Sequence, residues 1–333
     1  MSAAAPSAMN MGVLTSTASL VLYGLYPLYF KQLASVPYLQ ICAHRVVWSF
    51  VMLLPLFFWQ GNWANFCKTA LTWRNLAIFS CSGMVLVGNW VLFMWGVLSG
   101  YVVETSLGFF INPIFSVILA LIVFKEPLRL WQRLSVLLAT AGVLVVAIAN
   151  AKFPALGIGI AAMLSIYSII KKGEHLGTID GVMFEVTLMF PPSLAYLVYC
   201  QVQGTGVFLH TSAGVDWLLF GCGIVTIIPL LLFCYAAPLI SFTLLGIIQY
   251  INPIIQFLLG VFLYHEAFSM FKLIGYICVW VSLSIFAVES ILVYRMERCA
   301  SNVTVEDRDS NDLSQSIESP KHLTDYKVVD DAV

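Results

Sequence analysis

Long, nearly uninterrupted apolar blocks run through the chain from residue 12 to residue 294. A helix that crosses a membrane needs about 20 mostly apolar residues. Charges, prolines and glycines divide the sequence into ten such blocks. The predicted helices lie at roughly 12–30, 38–59, 76–97, 102–124, 130–150, 155–171, 180–200, 215–236, 241–264 and 270–294. The pattern therefore predicts an all-α polytopic membrane protein with ten transmembrane helices.

A second pattern repeats after 140 residues. The tripeptide Ile-Asn-Pro occurs at 111–113 and again at 251–253, and the same offset aligns Phe110 with Tyr250. Five helices per half is an odd number, so the second half must enter the membrane upside down relative to the first. We therefore predict a five-plus-five inverted repeat, an architecture of many secondary transporters.

These patterns divide the chain into four segments. We predict an N-terminal cytoplasmic segment at 1–11, a first five-helix repeat at 12–150, a second at 151–295 and a cytoplasmic tail at 296–333. Residues 301–333 carry eight acidic and three basic side chains and few aromatic ones. A segment of this composition cannot bury enough apolar surface to fold, so the tail is predicted to be disordered.

The composition excludes several classes of protein. Hydrophobic residues make up 60% of the chain and charged residues 10%, which is far from a water-soluble surface. The motifs GxxxxGK[ST], HExxH and GxSxG are missing, so we predict neither a nucleotide-driven motor nor an enzyme. The eight cysteines stand singly without a CxxC pair, and we predict no metal, no cofactor and no nucleic-acid partner.

The lysines and arginines lie unevenly between the predicted helices. With a cytoplasmic N-terminus, the outer loops hold only Lys31, Lys152 and Lys272. The inner loops and the C-terminal flank hold nine basic residues: Lys68, Arg74, Lys125, Arg129, Arg133, Lys171, Lys172, Arg295 and Arg298. Because cytoplasmic loops are enriched in positive charge, both termini are predicted to be cytoplasmic.

The two Asn-Pro pairs lie in the middle of predicted helices. Pro113 and Pro253 cannot donate a backbone hydrogen bond, so each frees a carbonyl and permits a bend. Asn112 and Asn252 add amides at the same depth. Such amides either face a shared cavity or hydrogen-bond a neighbouring helix. Because the pair is pseudo-symmetric, we favour two hinges at one cavity.

Charged side chains inside membrane helices mark function or pairing. We predict that Arg45 pairs with Glu104 near an outer gate. Glu185, which follows Arg45 by 140 residues, is predicted to be a polar wall or proton-responsive group nearer the inside. A static ion pair that fixes helix packing is the alternative for Arg45. His44 either binds an anion or a proton or is a hydrogen-bonded packing residue.

Aromatic residues accompany these polar positions. Trp48 shares a helical face with His44. In the third predicted helix Asn89, Trp90 and Phe93 form an aromatic set with one amide. The set suits either a cavity wall that stacks a flat or apolar solute, or a stripe that faces lipid.

Charges at helix ends are interpreted as structural. Lys31, Lys171 and Lys172 are expected to snorkel to the membrane surface. Glu126 and Glu266 are expected to act as loop or cap residues.

Four contiguous strings carry a family resemblance: HRVVWS (44–49), GNWVLFMWGV (88–97), ETSLGFFINPIF (104–115) and GIVTIIPLLLFCYAAP (223–238). In this order and spacing they resemble the RarD group of EamA-type transporters in the drug/metabolite transporter superfamily. The resemblance covers about residues 11–295. The acidic tail is not part of it.

The resemblance implies a ten-helix transporter of a bacterial inner membrane, commonly an exporter of a small metabolite or drug. It also brings Gln249 and Tyr250 into the set of site residues. We predict alternating access, an amino-acid-like solute and protons as the coupling ion. A non-transporting membrane receptor or scaffold is the alternative. The sequence does not identify the substrate, the direction of transport or the oligomeric state.

Overall fold

A computed structural model describes residues 6–61, 72–99, 102–149, 155–173, 176–263 and most positions between 270 and 293. The regular elements of this part of the chain are helices. Six helices are long and apolar enough to cross a membrane: 8–33, 38–59, 73–96, 155–172, 178–202 and 213–236. Shorter apolar helices cover 108–123, 130–145, 242–256 and 273–286. The chain is therefore an all-helical polytopic membrane protein.

The helices are numbered in chain order. They are α1 (Pro6–Gly24), α2 (Tyr26–Phe30), α3 (Tyr38–Trp59), α4 (Trp73–Leu98), α5 (Val102–Val123), α6 (Leu130–Ala149), α7 (Ala155–Lys172), α8 (Thr178–Val202), α9 (Ala213–Ala236), α10 (Phe242–Ile248) and α11 (Ile251–Leu258). A 3₁₀ turn follows α2 at Lys31–Leu33 and a π-helical turn follows α11 at Leu259–Leu263.

The first helix begins earlier than predicted. The described part of α1 already begins at Pro6, whereas the predicted start was residue 12, and the helix is interrupted at Leu25 before α2 continues to Phe30. The predicted tail at 296–333 lies outside the described residues.

The predicted helix at 241–264 is also corrected, because it is broken at Gln249 and Tyr250. Pro253 cannot donate to the Gln249 carbonyl, which instead accepts from the Asn252 N–H at 3.3 Å. In the first half, by contrast, Pro113 lies inside a continuous α5. The two Asn-Pro segments therefore share a sequence but differ in backbone structure.

Glu126, just beyond α5, caps the beginning of α10. Its carboxylate accepts hydrogen bonds from the N–H groups of Phe242 and Thr243 at 2.8 and 2.9 Å and from the Thr243 hydroxyl at 2.8 Å. A carboxylate satisfies the free N–H groups of a helix start. The interpretation of Glu126 as a cap is confirmed, and Glu266 lies outside the described residues.

Helices of the two halves pack against each other. The central helix α3 lies against α8 and α9, and α5 lies against α7 and α10. α1 contacts α9 and α11, and α4 contacts α7 and α8. Glycines permit the closest approaches. A Cβ added to Gly108 would lie 2.9 Å from the Gly157 carbonyl oxygen, and one added to Gly223 would lie 2.6 Å from the Trp48 backbone.

The largest buried cluster of apolar side chains surrounds α3. It includes Ile41, Leu53, Leu219, Leu230 and Leu245, each at most 1% exposed. Large apolar side chains also cover the outer surface, including Leu14, Ile122, Leu137, Trp217 and Phe262. Apolar surface of this extent marks contact with a membrane. The polar side chains described next lie within the interior.

Candidate functional site

Arg45 is the eighth residue of α3 and is only 3% exposed. Its Nε donates to the Thr226 hydroxyl at 3.0 Å. The guanidinium carbon lies 3.9 Å from the centroid of the Trp90 ring. The rings of Phe30 and Tyr26 lie at 5.1 and 5.4 Å. We call these four residues the Arg45 box: Tyr26, Phe30, Trp90 and Thr226.

The charge of Arg45 is incompletely compensated in this part of the chain. Its Nη2 has no hydrogen-bond partner, and no carboxylate among the described residues lies within ion-pair distance. Moving an ion from water to the interior costs several kcal/mol. A desolvated cation–π contact returns about 2 kcal/mol and a charged hydrogen bond about 1.5–3 kcal/mol. The predicted pair with Glu104 stays a prediction, because that side chain lies outside the described residues.

His44 and Trp48 form an aromatic layer beside Arg45. Trp48 Nε1 donates to His44 Nδ1 at 3.1 Å, and the two rings are nearly parallel. Phe208 lies 5.2 Å from the His44 centroid and 5.7 Å from that of Trp48. His44 is only 3% exposed. Its contacts are those of a packed, hydrogen-bonded histidine.

Glu185 is the eighth residue of α8 and lies in a closed polar cluster. Lys171 Nζ is 3.1 Å from its Oε1, and the side chains are 0% and 2% exposed. Ser82 donates a short hydrogen bond to Oε1, and the Tyr167 hydroxyl donates to Oε2 at 3.3 Å. We call these four residues the Glu185 cluster: Ser82, Tyr167, Lys171 and Glu185.

The prediction that Lys171 snorkels to the membrane surface is wrong. Its ammonium is buried because Glu185 on the neighbouring helix offers a counter-charge inside the bundle. Lys172 is half-buried and donates to the Ile240 carbonyl at 2.6 Å. Both lysines therefore hold helices together.

Asn112 joins the two halves in the interior. Its Nδ2 donates to Gln249 Oε1 at 2.5 Å, and its Oδ1 accepts from the Ser165 hydroxyl at 2.9 Å. Ser116 also donates to Gln249 Oε1, at 3.4 Å. These contacts link α5 and α7 to the break between α10 and α11. Gln249, rather than Asn252, is the partner of Asn112.

Tyr250 is part of this break, and Asn252 lies just after it in α11. Asn252 accepts from Gln256 Nε2 at 2.8 Å, one turn further along its own helix. Tyr250 is 1% exposed, and its buried hydroxyl has no hydrogen-bond partner among the described residues. The repeated Ile-Asn-Pro thus places its two amides in different hydrogen-bond networks.

The third predicted helix contributes residues to two separate places. Asn89 donates to the Ile160 carbonyl at 3.1 Å and holds α4 against α7. Phe93 is half-buried and meets Phe109 edge to face at 5.3 Å. Only Trp90 of this set contacts Arg45.

A small cavity lies between Trp90 of the Arg45 box and Glu185. Ser49, Gly83 and Leu230 also line it, and its volume is about 10 Å³. That volume accommodates about one water molecule. The Ser49 hydroxyl is buried and has no hydrogen-bond partner among the described residues. Trp90 and Glu185 therefore line the same cavity, whereas Arg45 does not.

Several partners of the charged residues were missed by sequence reasoning. Thr226 and Ser82 are single hydroxyls in apolar helices, and nothing in the sequence distinguishes them from serines and threonines that bond their own helix. The burial of Lys171 could have been predicted, because this lysine lies within a predicted membrane helix and the next predicted helix carries Glu185. Within the described residues, no three of His, Cys, Asp and Glu come together as metal ligands.

A bundle of apolar helices with charges and amides buried between its halves defines a multi-pass membrane protein with a polar interior, the setting of solute pathways. Comparison with known proteins specifies the class. The model of the EamA-like transporter family matches residues 10–148. The chain is 36% identical over 280 residues to the uncharacterized transporter YojE of Bacillus subtilis, covering 83% of this chain and 93% of that one.

A second relative indicates which group of this family the chain resembles. The chain is 33% identical over 286 residues to protein RarD of Escherichia coli K12, covering 86% of this chain and 97% of RarD. The chain therefore belongs to the EamA-like transporter family, as a RarD-type member of the drug/metabolite transporter superfamily. A solved crystal structure has a similar fold, with a TM-score of 0.63 and 15% identity over 82% of this chain and 96% of the other.

Proposed function

We propose that this protein is a secondary active transporter that exports a small metabolite, an amino-acid-like solute or a drug by alternating access. Membership of a transporter family supports transport and argues against an enzyme. The observation that carries the proposal is the hydrogen bond between Asn112 and Gln249, 137 residues apart, which joins the two Asn-Pro segments in the interior. A solute path between the halves must pass such contacts.

Ten membrane helices in two inverted repeats are part of this proposal. If the first five membrane helices are exchanged with the second five, the contact between α3 and α9 becomes the observed contact between α8 and α4. In the same way, the contact between α1 and α9 becomes the observed contact between α7 and α4. The exchange also converts α5–α7 into the contact of α1 with α11. Arg45 and Glu185 hold the eighth positions of exchanged helices. This correspondence supports a repeat.

The proposed location is the inner membrane of a bacterium, with both termini cytoplasmic. The distribution of lysine and arginine supports this orientation. The bacterial relatives support the location. The proposed segments remain 1–11, 12–150, 151–295 and 296–333, and the family match at 10–148 supports the first repeat.

The proposed hinge lies at Gln249 and Tyr250, next to Pro253. α10 is attached to the end of α5 through the Glu126 cap, whereas α11 packs on α1. The main neighbour of α10 is thus α5 and that of α11 is α1, and the turn between the two short helices can absorb a change in backbone angle. Pro113 is the proposed counterpart in α5.

Protons are the proposed coupling ion, with Glu185 as the group that accepts them. Protonation would remove the carboxylate charge opposite Lys171 and leave a buried ammonium without its counter-charge. Such a change favours a rearranged bundle in which the ammonium finds water or another partner. The cluster can therefore link proton binding to a change of conformation.

Flux in proteoliposomes tests the proposed function. The full chain, reconstituted under an imposed pH gradient and supplied with labelled amino acids and small aromatic acids, is expected to move at least one solute. Collapse of the gradient is expected to abolish accumulation. Asn112→Ala should lower the rate severalfold, whereas Gln32→Ala, at an exposed glutamine bonded to its own helix, should not. A protein that binds a solute without moving any would instead be a receptor or scaffold.

A further inference from the structure

We propose that Arg45 binds the carboxylate of the transported solute, which makes a small organic acid or zwitterion the substrate class. This inference rests on the proposed transport function. It starts from a polar atom that has no hydrogen-bond partner among the described residues. Nη2 of Arg45 is buried and unpaired in this part of the chain, whereas Nε is held by Thr226 and the guanidinium lies over Trp90. Buried guanidinium groups are normally paired, so the missing partner is expected to come from outside the chain.

Arg45 is also a buried positive charge that has no counter-charge among the described residues. Lys171, by contrast, is neutralised by Glu185 at 3.1 Å, and the same carboxylate accepts hydrogen bonds from Ser82 and Tyr167. Among the described residues no acidic group takes the same role for Arg45. One spare positive charge matches a monoanion. A phosphate, with a charge of about −1.5 to −2 at neutral pH, would remain undercompensated.

The Arg45 box selects a planar anion. Thr226 fixes Nε at 3.0 Å and therefore orients the plane of the guanidinium. Trp90 covers one face of that plane at 3.9 Å. A ligand can then approach the guanidinium at the edge that carries the two Nη groups. The N–H groups of this edge match the two oxygens of a carboxylate. The rings of Phe30 and Tyr26 give the apolar part of the solute an aromatic surface.

Ser49 provides a second point of attachment. It lies four residues after Arg45 on α3, hence on the same face. Its hydroxyl is buried without a hydrogen-bond partner among the described residues, and Ser49 lines the small cavity that Trp90 also lines. Arg45 does not line this cavity, so Ser49 would contact a solute that reaches from Arg45 past Trp90. The cavity of about 10 Å³ is too small for a solute, so binding must accompany opening of the bundle.

The test uses thermal stability of the purified full chain, because a ligand of the folded state raises the melting temperature. Wild-type protein is titrated with matched pairs in which only the carboxylate is replaced: benzoate with benzamide, and phenylalanine with phenylalaninamide. Inorganic phosphate is included as a different anion. At least one carboxylate is expected to give a saturable rise in melting temperature, and its amide and phosphate are expected to give none.

Substitutions then assign the effect to Arg45. Arg45→Met is expected to weaken binding of the active carboxylate on the order of 100-fold, as for loss of one partner of a buried charged pair. The affinities of Arg45→Lys and Ser49→Ala for this carboxylate should lie between those of Arg45→Met and the wild type. Arg133→Lys is the matched control, since that arginine is exposed and its Nε donates to the Leu128 carbonyl. It should bind like wild type.

The outcomes separate this inference from the transport proposal. The inference that Arg45 binds a carboxylate is overturned if no carboxylate stabilises the wild type or if the amides stabilise it equally. It is also overturned if Arg45→Met keeps the rise in melting temperature. If the Arg45 variants fail to fold, the wild-type pairs alone decide. Carboxylate binding without flux would refute transport but retain the site. Flux of a neutral or cationic solute that survives Arg45→Met would retain transport and refute the site.

Discussion

Arg45 and Glu185 are each the eighth residue of their helices, α3 and α8, and both side chains are buried. Glu185 is surrounded by an ammonium and two hydroxyls, so its charge is balanced by the chain itself. Arg45 is held by the Thr226 hydroxyl and three aromatic rings, and its Nη2 has no partner among the described residues. The eighth residues of the two helices thus differ: the charge of Glu185 is paired with a neighbouring helix, whereas that of Arg45 has no counter-charge among the described residues.

The largest loss of stability is expected when the counter-charge of Glu185 is removed. Lys171→Met leaves a buried carboxylate without its ion-pair partner, which typically costs about 3–5 kcal/mol. We expect a clear drop in the melting temperature of the detergent-purified protein.

The double variant Lys171→Met/Glu185→Leu is the control, because it removes both charges. Replacing both partners of a buried pair is often neutral or stabilising, so it should recover most of the loss. Equal instability of the single and double variants would show that the pair is not responsible.

A smaller effect is expected from the hydroxyl that supports Glu185. Ser82→Ala removes a hydrogen bond to a charged group, worth about 1.5–3 kcal/mol. Thermal denaturation measures the loss. Ser168→Ala serves for comparison, since that buried hydroxyl donates to the Leu164 carbonyl of its own helix. If the two variants lose the same stability, the hydroxyl of Ser82 has no special role.

Thr226→Val, in the Arg45 box, is expected to lower the free energy of unfolding by less than Ser82→Ala does. The valine removes the acceptor of Nε, but the aromatic faces remain, so we expect a loss of about 1–2 kcal/mol. Thr187→Val is the matched variant, because its hydroxyl bonds the Met183 carbonyl within one helix. A loss from Thr226→Val as large as that from Lys171→Met would contradict the difference between the two sides.

Arg45→Met is expected to have the smallest effect on stability. It removes a buried charge that no described carboxylate pairs, and the desolvation cost disappears with it. The free energy of unfolding without solute, measured by thermal denaturation, should therefore stay within about 1 kcal/mol of the wild-type value. A loss of about 3 kcal/mol or more would show that Arg45 is as structural as Lys171.

The sequence predicted the helices well where polar residues and loops delimit them. The prediction of 38–59 coincides with α3, and 102–124 differs from α5 by one residue. The break at Gln249 and Tyr250 was missed because the run from 241 to 264 is apolar on both sides. Proline by itself does not predict a break in a membrane helix, and α5 continues through Pro113.

The charged residues were recognisable from the sequence, whereas their partners were not. A charge in an apolar run is rare enough to indicate a role, and this identified both Arg45 and Glu185. The partner depends on which helices pack together. Thr226 is 181 residues from Arg45, and no local pattern encodes that contact. Lys171 has a stem long enough to reach either the surface or the interior, so its direction required the structure.

The Glu126 cap on α10 has a consequence for biogenesis. Its carboxylate is separated from the N–H of Phe242 by 116 residues. At about 5–20 residues per second of synthesis, Glu126 emerges on the order of ten seconds before its partner. For most of that interval the helices α1 to α6 lack the hydroxyl that holds Arg45, and throughout it they lack the cap contact and the amide partner of Asn112. The packing of these helices can therefore be completed only after the later helices have been synthesised and inserted.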